Sequence, residues 1–430
     1  MKILENPKKE DWERILKRPT QTYSDIEPLV TEIFEHVRKE GDIAVKKYTK
    51  KFDGAGLEGL IVANSEIEAA KNALDDSLKE AIKLAKKNIE AFHAAQQTPV
   101  KKIESTPGVV CWQEKRAIEK VGLYIPGGTA PLFSTILMLA VPAGIAGCEE
   151  VVMCTPCDAE GKVHPAVLYT ADLCGVTRIF KVGGIQAIAG MTLGTESIPK
   201  VYKIFGPGNQ YVTVAKQMAM KFGVGIDLPA GPSELLVYAD SSSTASFMAA
   251  DLLSQAEHGT DSQVILVSNS LEKLNEIKIE IEKQLEELPR RDIAVQAIEN
   301  SKLIYCSDHK KAIDLINFYA PEHLILSVED TSGILPLLKN AGSVFVGDYS
   351  PESAGDYASG TNHTLPTNGF AKNYSGVNLD AFQKAVSFQE ISKEGIRNIG
   401  EAVEKMAEAE GLFAHQNAVS LRLAALKEKN

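Results

Sequence analysis

Three short stretches place amide, imidazole and carboxylate groups where they could act together. The run 243–259, STASFMAADLLSQAEHG, closes on Gln255, Ala256, Glu257 and His258. Phe247, Ala250 and Leu253 recur at helical spacing, which predicts a helix with Ser243 as N-cap and Gly259 at its end. Residues three apart share a helix face, so the Gln255 amide oxygen and a His258 ring nitrogen can converge, making half a metal site. Such a pair alone is more often a polar helix end, and the remaining ligands must come from elsewhere. The second stretch is Ala320, Pro321, Glu322, His323. Proline biases Ala320 towards extended backbone, so a helix should stop there and present Glu322 and His323 on a turn. A carboxylate beside an imidazole suits general acid/base chemistry near neutral pH; the plain alternative is a solvated turn.

The third stretch, 347–376, reads GDYSPESAGDYASGTNHTLPTNGFAKNYSG. A loop this long is usually functional or disordered, and its Tyr349, Tyr357, Phe370 and Tyr374 argue against disorder. It offers Asp356 and His363 as ligands or substrate contacts. Near the C-terminus, Glu410, Gly411, Leu412, Phe413, Ala414 and His415 follow a helix that begins at about Ser392. Gln255, His258, Asp356 and His415 together would form a mixed nitrogen and oxygen set suited to zinc or manganese. Cys154 and Cys157 form a CxxC with no second pair at zinc-ribbon spacing, so they read as structural.

These groups must be held by a scaffold whose pattern changes along the chain. Residues 1–25 predict a helical arm with Trp12, Ile15 and Leu16 on one side. A helical region follows, with Ile26, Val30, Ile33, Phe34 and Val37 as its stripe. Ser65 and Glu68 suggest a capping box ahead of a long helix to about Ala95, striped by Leu78, Ile82, Ala85, Ile89 and Phe92. His36 and His93 read as surface or packing residues. From Val121, short β-branched runs alternate with helical segments: VGLYI, EVVMC, TRIFKV and KVYKIF, then SELLVYA, SQVILVS, KLIYCS, HLILSV and GSVFVG. Alternation of this kind predicts an α/β fold of two Rossmann-like parallel-sheet domains, with small helical N- and C-terminal appendages and ligands in the crevice beyond the strand ends. The expected division is 1–25 as the arm, 26–120 with 234–378 as a split first domain, 121–233 as the second, and 379–430 as a small helical domain. GxGxxG is absent, yet glycine turns follow strands at Gly127–Gly128, Gly183–Gly184 and Gly206–Asn209. Helices starting after such turns attract phosphate, and three in one domain favour a nucleotide over mere tight turns.

Length and composition narrow the function class. A chain of 430 residues exceeds one typical core. With 44% hydrophobic and 24% charged residues it is ordinary globular material, and a net charge of -11 gives no basic footprint for nucleic acid or an anionic membrane. The most apolar run, 135–148, is too short to span a bilayer and is expected to be broken by Pro142. No N-terminal apolar leader is evident, and six cysteines make no disulfide framework, so a cytoplasmic small-molecule enzyme is expected.

Seven blocks, VGLYIPGGTAPLFSTILMLAVPAGIAGC, IFGPGNQYVTVAKQ, DLPAGPSELLV, DLLSQAEHG, APEHL, GDYSPESAGDYASGTNHTLPT and EGLFAHQNA, resemble in order the signature blocks of the histidinol dehydrogenase family. The resemblance implies zinc-dependent homodimers that oxidise L-histidinol to L-histidine through L-histidinal, using two NAD+. It implies zinc ligands Gln255, His258, Asp356 and His415, the last supplied by the partner subunit, and an acid/base pair Glu322 and His323. Ser233, His363 and Glu410 would join the zinc ligands and His323 around the substrate, while Tyr124, Gln186 and Asn209 would contact NAD. Two other readings compete: a related dehydrogenase acting on another small alcohol, and a metal-stabilised binding protein without turnover. Glu410 and His363 favour histidinol over the first, and the acid/base pair speaks against the second.

Overall fold

The computed structural model describes residues 2–19, 25–127, 131–229 and 231–427. Gly128 of the first glycine turn and residues 20–24 of the N-terminal arm lie outside the described residues. The chain separates into two compact units, Met1–Ala95 with Ile118–Phe382, and Gln96–Ala117 with Gln383–Asn430.

The alternating pattern of the larger unit folds as two parallel sheets. One has five strands in the spatial order Arg178–Lys181, Glu150–Thr155, Lys120–Tyr124, Lys203–Phe205, Gly225–Ile226. The other has six, ordered Ile3–Glu5, Lys302–Tyr305, Gln263–Ser268, Glu234–Ala239, His323–Ser327, Ser343–Val346. Every residue of Glu234–Ala239 and Gln263–Ser268 is buried, as expected for parallel strands covered by helices on both faces. Side-chain alternation sorts them: Leu236, Tyr238, Ile265 and Val267 pack on one face, and Leu235, Val237, Val264 and Leu266 on the other. Among the described residues, no helix is long and apolar enough to cross a membrane.

Several local expectations need correction. The N-terminal segment is helical over Lys9–Asp11 and Trp12–Ile15, but Ile3–Glu5 adds a parallel strand beside Lys302–Tyr305. Ser243 does not cap its helix. Its hydroxyl donates to the Ser327 carbonyl and accepts the Asp240 N–H at 3.0 Å, and the helix runs Ala245–Ala256 from Thr244. Gly259 lies past the end, which falls at Glu257. The long N-terminal helix is two helices, Asn64–Ala73 and Asp76–Ala94, because Leu74 adopts an extended ψ of 137°. Glu66, not Glu68, reaches back, accepting the Ala63 N–H at 2.9 Å. Phe92 is 45% exposed, while His93 turns inward, four residues after Ile89, with Nδ1 2.9 Å from the Ile89 carbonyl. Pro142 does not break the apolar run, since helix Phe133–Ala146 continues through it. Ala320 is left-handed (φ 53°, ψ 68°) instead of extended, capping helix His309–Tyr319.

The smaller unit is built by itself. An antiparallel sheet orders Gln383–Ile391, Val109–Ala117 and Ile103–Thr106, and helices Lys393–Ala409 and Phe413–Lys427 pack together. Gly400 permits their close approach, because a Cβ there would lie 2.8 Å from Leu423 Cδ1.

Candidate active site and cofactor cleft

At the amino ends of the six-stranded sheet, Glu322 precedes and His323 opens strand His323–Ser327, beside the start of Glu234–Ala239. Neighbouring backbone holds both groups. The Glu234 N–H donates to Glu322 Oε2 at 3.0 Å, and the Glu234 carbonyl lies 3.3 Å from His323 Nδ1. A carbonyl only accepts, so Nδ1 carries the proton and Nε2 keeps its lone pair. That Nε2 is buried without a hydrogen-bond partner, 3.9 Å from Asp356 Oδ1.

The stretch 347–376, expected as a loop, contains the short helix Glu352–Tyr357. Four residues separate Glu352 and Asp356, so both face the histidine. Glu352 Oε1 lies 3.4 Å from His323 Nδ1, and Glu352 is only 2% exposed. The Gln255 amide, in the last turn of its helix, orients its nitrogen to donate to Glu352, 3.1 Å from Oε2, which turns its carbonyl oxygen the other way. Sequence reasoning passed over Glu352; its spacing to Asp356 was the available signal. His363 approaches from the far end of the stretch, with Nδ1 2.9 Å from the Asp356 carbonyl and Nε2 3.1 Å from Thr135 Oγ1. Ser233 immediately precedes Glu234 and is half-buried. His258 lies two residues beyond its helix and is exposed, so a shared helical face with Gln255 does not describe the pair; its N–H reaches the Gln255 carbonyl at 3.3 Å.

Burial dominates the electrostatics. It pulls the His323 pKa down to about 4, against the nearby Asp356 charge, and also lowers that of His363. Burial likewise raises Glu322 and Glu352 well above the usual carboxylate range, although the Glu234 N–H moderates the first. Asp251, behind Glu352, is pushed up to about 7 by burial. Titratable groups displaced in opposite directions at one place mark a functional site. Ligand atoms of His323, Glu352 and Asp356 all lie within 4.8 Å of one another. The Asp356 and Glu352 oxygens are donors that fit a divalent cation such as zinc, beside a His323 Nε2 left free to take a proton.

The five-stranded sheet presents a different feature, a cleft of about 950 Å³ lined by Tyr124, Pro126, Gly127, Pro156, Gly184 and Asn209 among others. These residues lie just past the carboxyl ends of strands Lys120–Tyr124, Glu150–Thr155, Arg178–Lys181 and Lys203–Phe205. Helices Gly184–Leu193 and Gln210–Lys221 begin there, and the Asn209 side chain caps the second by accepting the Val212 N–H. Gly206 adopts φ 134°, where a Cβ would lie 2.1 Å from the Tyr124 carbonyl oxygen. Buried Lys216 and Asp227 pair beneath it: Lys216 Nζ donates to the Gly206 carbonyl at 2.8 Å, and Asp227 accepts the Gly206 N–H at 2.7 Å. The Tyr124 hydroxyl accepts the Gly184 N–H at 3.1 Å. Gln186 lies behind the wall, buried, with Oε1 unpartnered and Nε2 3.5 Å from Asp53. This volume and the helix N-termini fit a dinucleotide.

Glu410 and His415 sit on the smaller unit, at the cap of Lys393–Ala409 and in Phe413–Lys427, and both are exposed. Cys154 is buried and Cys157 half-buried, and both are free thiols.

Residues 16–423 match the family model described as histidinol dehydrogenase. The histidinol dehydrogenase of Bacteroides thetaiotaomicron is 56% identical over 427 residues, covering 99% of this chain and all of that one. That of Escherichia coli K12 is 50% identical over 423 residues, covering 98% and 96%. The crystal structure of histidinol dehydrogenase from Elizabethkingia anophelis matches with a TM-score of 0.97 at 54% identity over 99% of both chains.

Proposed function

The chain belongs to the histidinol dehydrogenase family, an oxidoreductase family of histidine biosynthesis, and from that premise we propose how its residues divide the work of oxidising L-histidinol to L-histidine. Residues 121–233 would take NAD, through Tyr124, Gln186 and Asn209. Residues 234–378, which supply five strands of the six-stranded sheet, would carry metal and proton transfer. Gln255, His258 and Asp356 would hold zinc with the partner subunit's His415, making the protein a homodimer with shared sites. Ser233, His363 and Glu410 would complete the substrate pocket. The exposure of Glu410 and His415 supports their serving another subunit.

Bound zinc supplies a positive point that orients the imidazole and amino group of histidinol, and NAD+ accepts hydride. His323 keeps its proton on Nδ1 against the Glu234 carbonyl, so Nε2 takes the alcohol proton as the first hydride leaves. Glu322, whose raised pKa makes its carboxylate a better base, draws a proton from the water that adds to the aldehyde, while His323 returns the alcohol proton from Nε2 to the aldehyde oxygen and is neutral again. His323 then takes a hydroxyl proton of the hydrate as the second hydride leaves. The observation that carries this reading is the buried, unpartnered His323 Nε2 beside Asp356.

The test is NADH formed per L-histidinol, before and after chelation and zinc add-back. Two NADH per substrate, lost on chelation and restored by zinc, support the reading; one NADH with accumulating aldehyde would sink it. In the same assay Glu322→Gln should still form aldehyde but slow acid formation, and equal loss of both steps would remove Glu322 from the water step. Mixed dimers of His258→Ala and His415→Ala subunits should regain activity at one intact site. Proven exchange without recovery would place His415 outside a shared site.

A further inference from the structure

Arg18 follows the short helix Trp12–Ile15 and reaches the base of the catalytic strand. Its guanidinium, 16% exposed, is bound to the Glu234 carboxylate, 2% exposed, through Nε and through Nη2 at 3.1 Å. Nη2 also donates to the Tyr319 carbonyl at 2.8 Å, and the guanidinium lies 4.0 Å over the Tyr319 ring. The Tyr319 hydroxyl donates to Gln263 Oε1 at 2.9 Å, and the Gln263 amide nitrogen holds the Lys17 carbonyl at 3.1 Å. Arg18 is therefore fixed through its head group and through the backbone before it.

Glu234 is the residue whose main chain holds both members of the acid/base pair: its N–H grips Glu322, and its carbonyl sets the His323 tautomer. We propose that Arg18 and Glu234 form a positioning pair for Glu322 and His323, acting through the Glu234 backbone. This rests on the reading of Glu322 and His323 as the proton-transfer groups. Without its partner, the buried Glu234 carboxylate is an uncompensated charge that must turn towards another donor. That change relaxes the strand start on which the pair hangs, although neither Arg18 nor the Glu234 side chain need touch substrate.

The experiment compares Arg18→Met, Arg18→Lys, Glu234→Gln and the Arg18→Met/Glu234→Gln double variant as zinc-loaded full-length enzyme. NADH formation is followed from L-histidinol and from L-histidinal, alongside zinc content and the KM for NAD. Arg18→Met and Glu234→Gln should each lower kcat by about tenfold to a hundredfold, the range expected for small misplacement of reacting groups. Zinc content and the KM for NAD should stay at wild-type values. The double variant should fall little below either single one, and Arg18→Lys should recover part of the loss. Unchanged kcat in folded Arg18→Met, or a parallel change of kcat, zinc content and KM for NAD, overturns the proposal. If Arg18→Met does not fold, full activity in both Arg18→Lys and Glu234→Gln does so. Glu322→Gln, run in parallel, keeps the two readings apart: undiminished histidinal oxidation there means the proton-transfer assignment has failed, whatever Arg18 does, and the positioning role falls with it.

Discussion

In the sheet containing Lys120–Tyr124, the candidate cofactor residues lie beyond the carboxyl ends of the strands; in the sheet containing Glu234–Ala239, the acid/base residues lie at the amino ends. Helices that return between parallel strands begin at the carboxyl edge and finish at the amino edge. The first edge therefore gathers positive dipole ends, here at Gly184 and Gln210. The second gathers terminal carbonyls and negative ends, here after Gln255 and Tyr319. One edge suits a pyrophosphate and the other a cation with an acid/base pair. Two copies of one architecture thus acquire opposite chemistry from which end is used, and the carboxyl-end rule for ligands describes only the first.

The strongest way to break this contrast is at the amino edge. His323→Ala should lower kcat by about 10² to 10⁴, the usual contribution of general acid/base catalysis. Cofactor binding, read by quenching of protein fluorescence with NADH, should be untouched; a matching loss of NADH affinity would mean the two edges are not separate in function. The converse change is Gly206→Ala, which forces a Cβ against the Tyr124 carbonyl at a left-handed φ. It should raise the KM for NAD by about tenfold while zinc content stays at wild type. Parallel loss of zinc would contradict the assignment. The smallest effect is on stability. Asp251 has a folded pKa of about 7 against an ordinary 3.8, so burial of its charge costs nothing below the ordinary value, costs progressively more as pH rises from there to about 7, and costs a constant amount above that. In metal-free protein, Asp251→Asn should therefore melt higher than wild type at pH 8, with the advantage vanishing towards pH 4. A pH-independent difference would show that Asp251 acts by packing instead of charge.

The central parallel strands were legible because they are runs of β-branched and aliphatic residues buried on both faces, as in LLVY or VILV. Ile3–Glu5 was too short to show a period, and Gln383–Ile391 has no buried face to impose alternation. The site residues were legible as types: Glu322 beside His323 needs no fold to be noticed. What holds them was not. Glu352 sat in a stretch whose Ser353 and Gly355 disguise a helix, and Glu234 acts through backbone atoms that every residue possesses. A contact made by the main chain leaves no mark on composition or spacing.

The clamp between Arg18 and Glu234 spans 216 positions of sequence. Closing so wide a ring is entropically costly and is deferred until local βα units have formed. Arg18 leaves the ribosome first, and its partner emerges 216 residues later. The acid/base pair then acquires its support late in folding, and a chain shortened past Arg18 loses that support together with the edge strand Ile3–Glu5 of the six-stranded sheet.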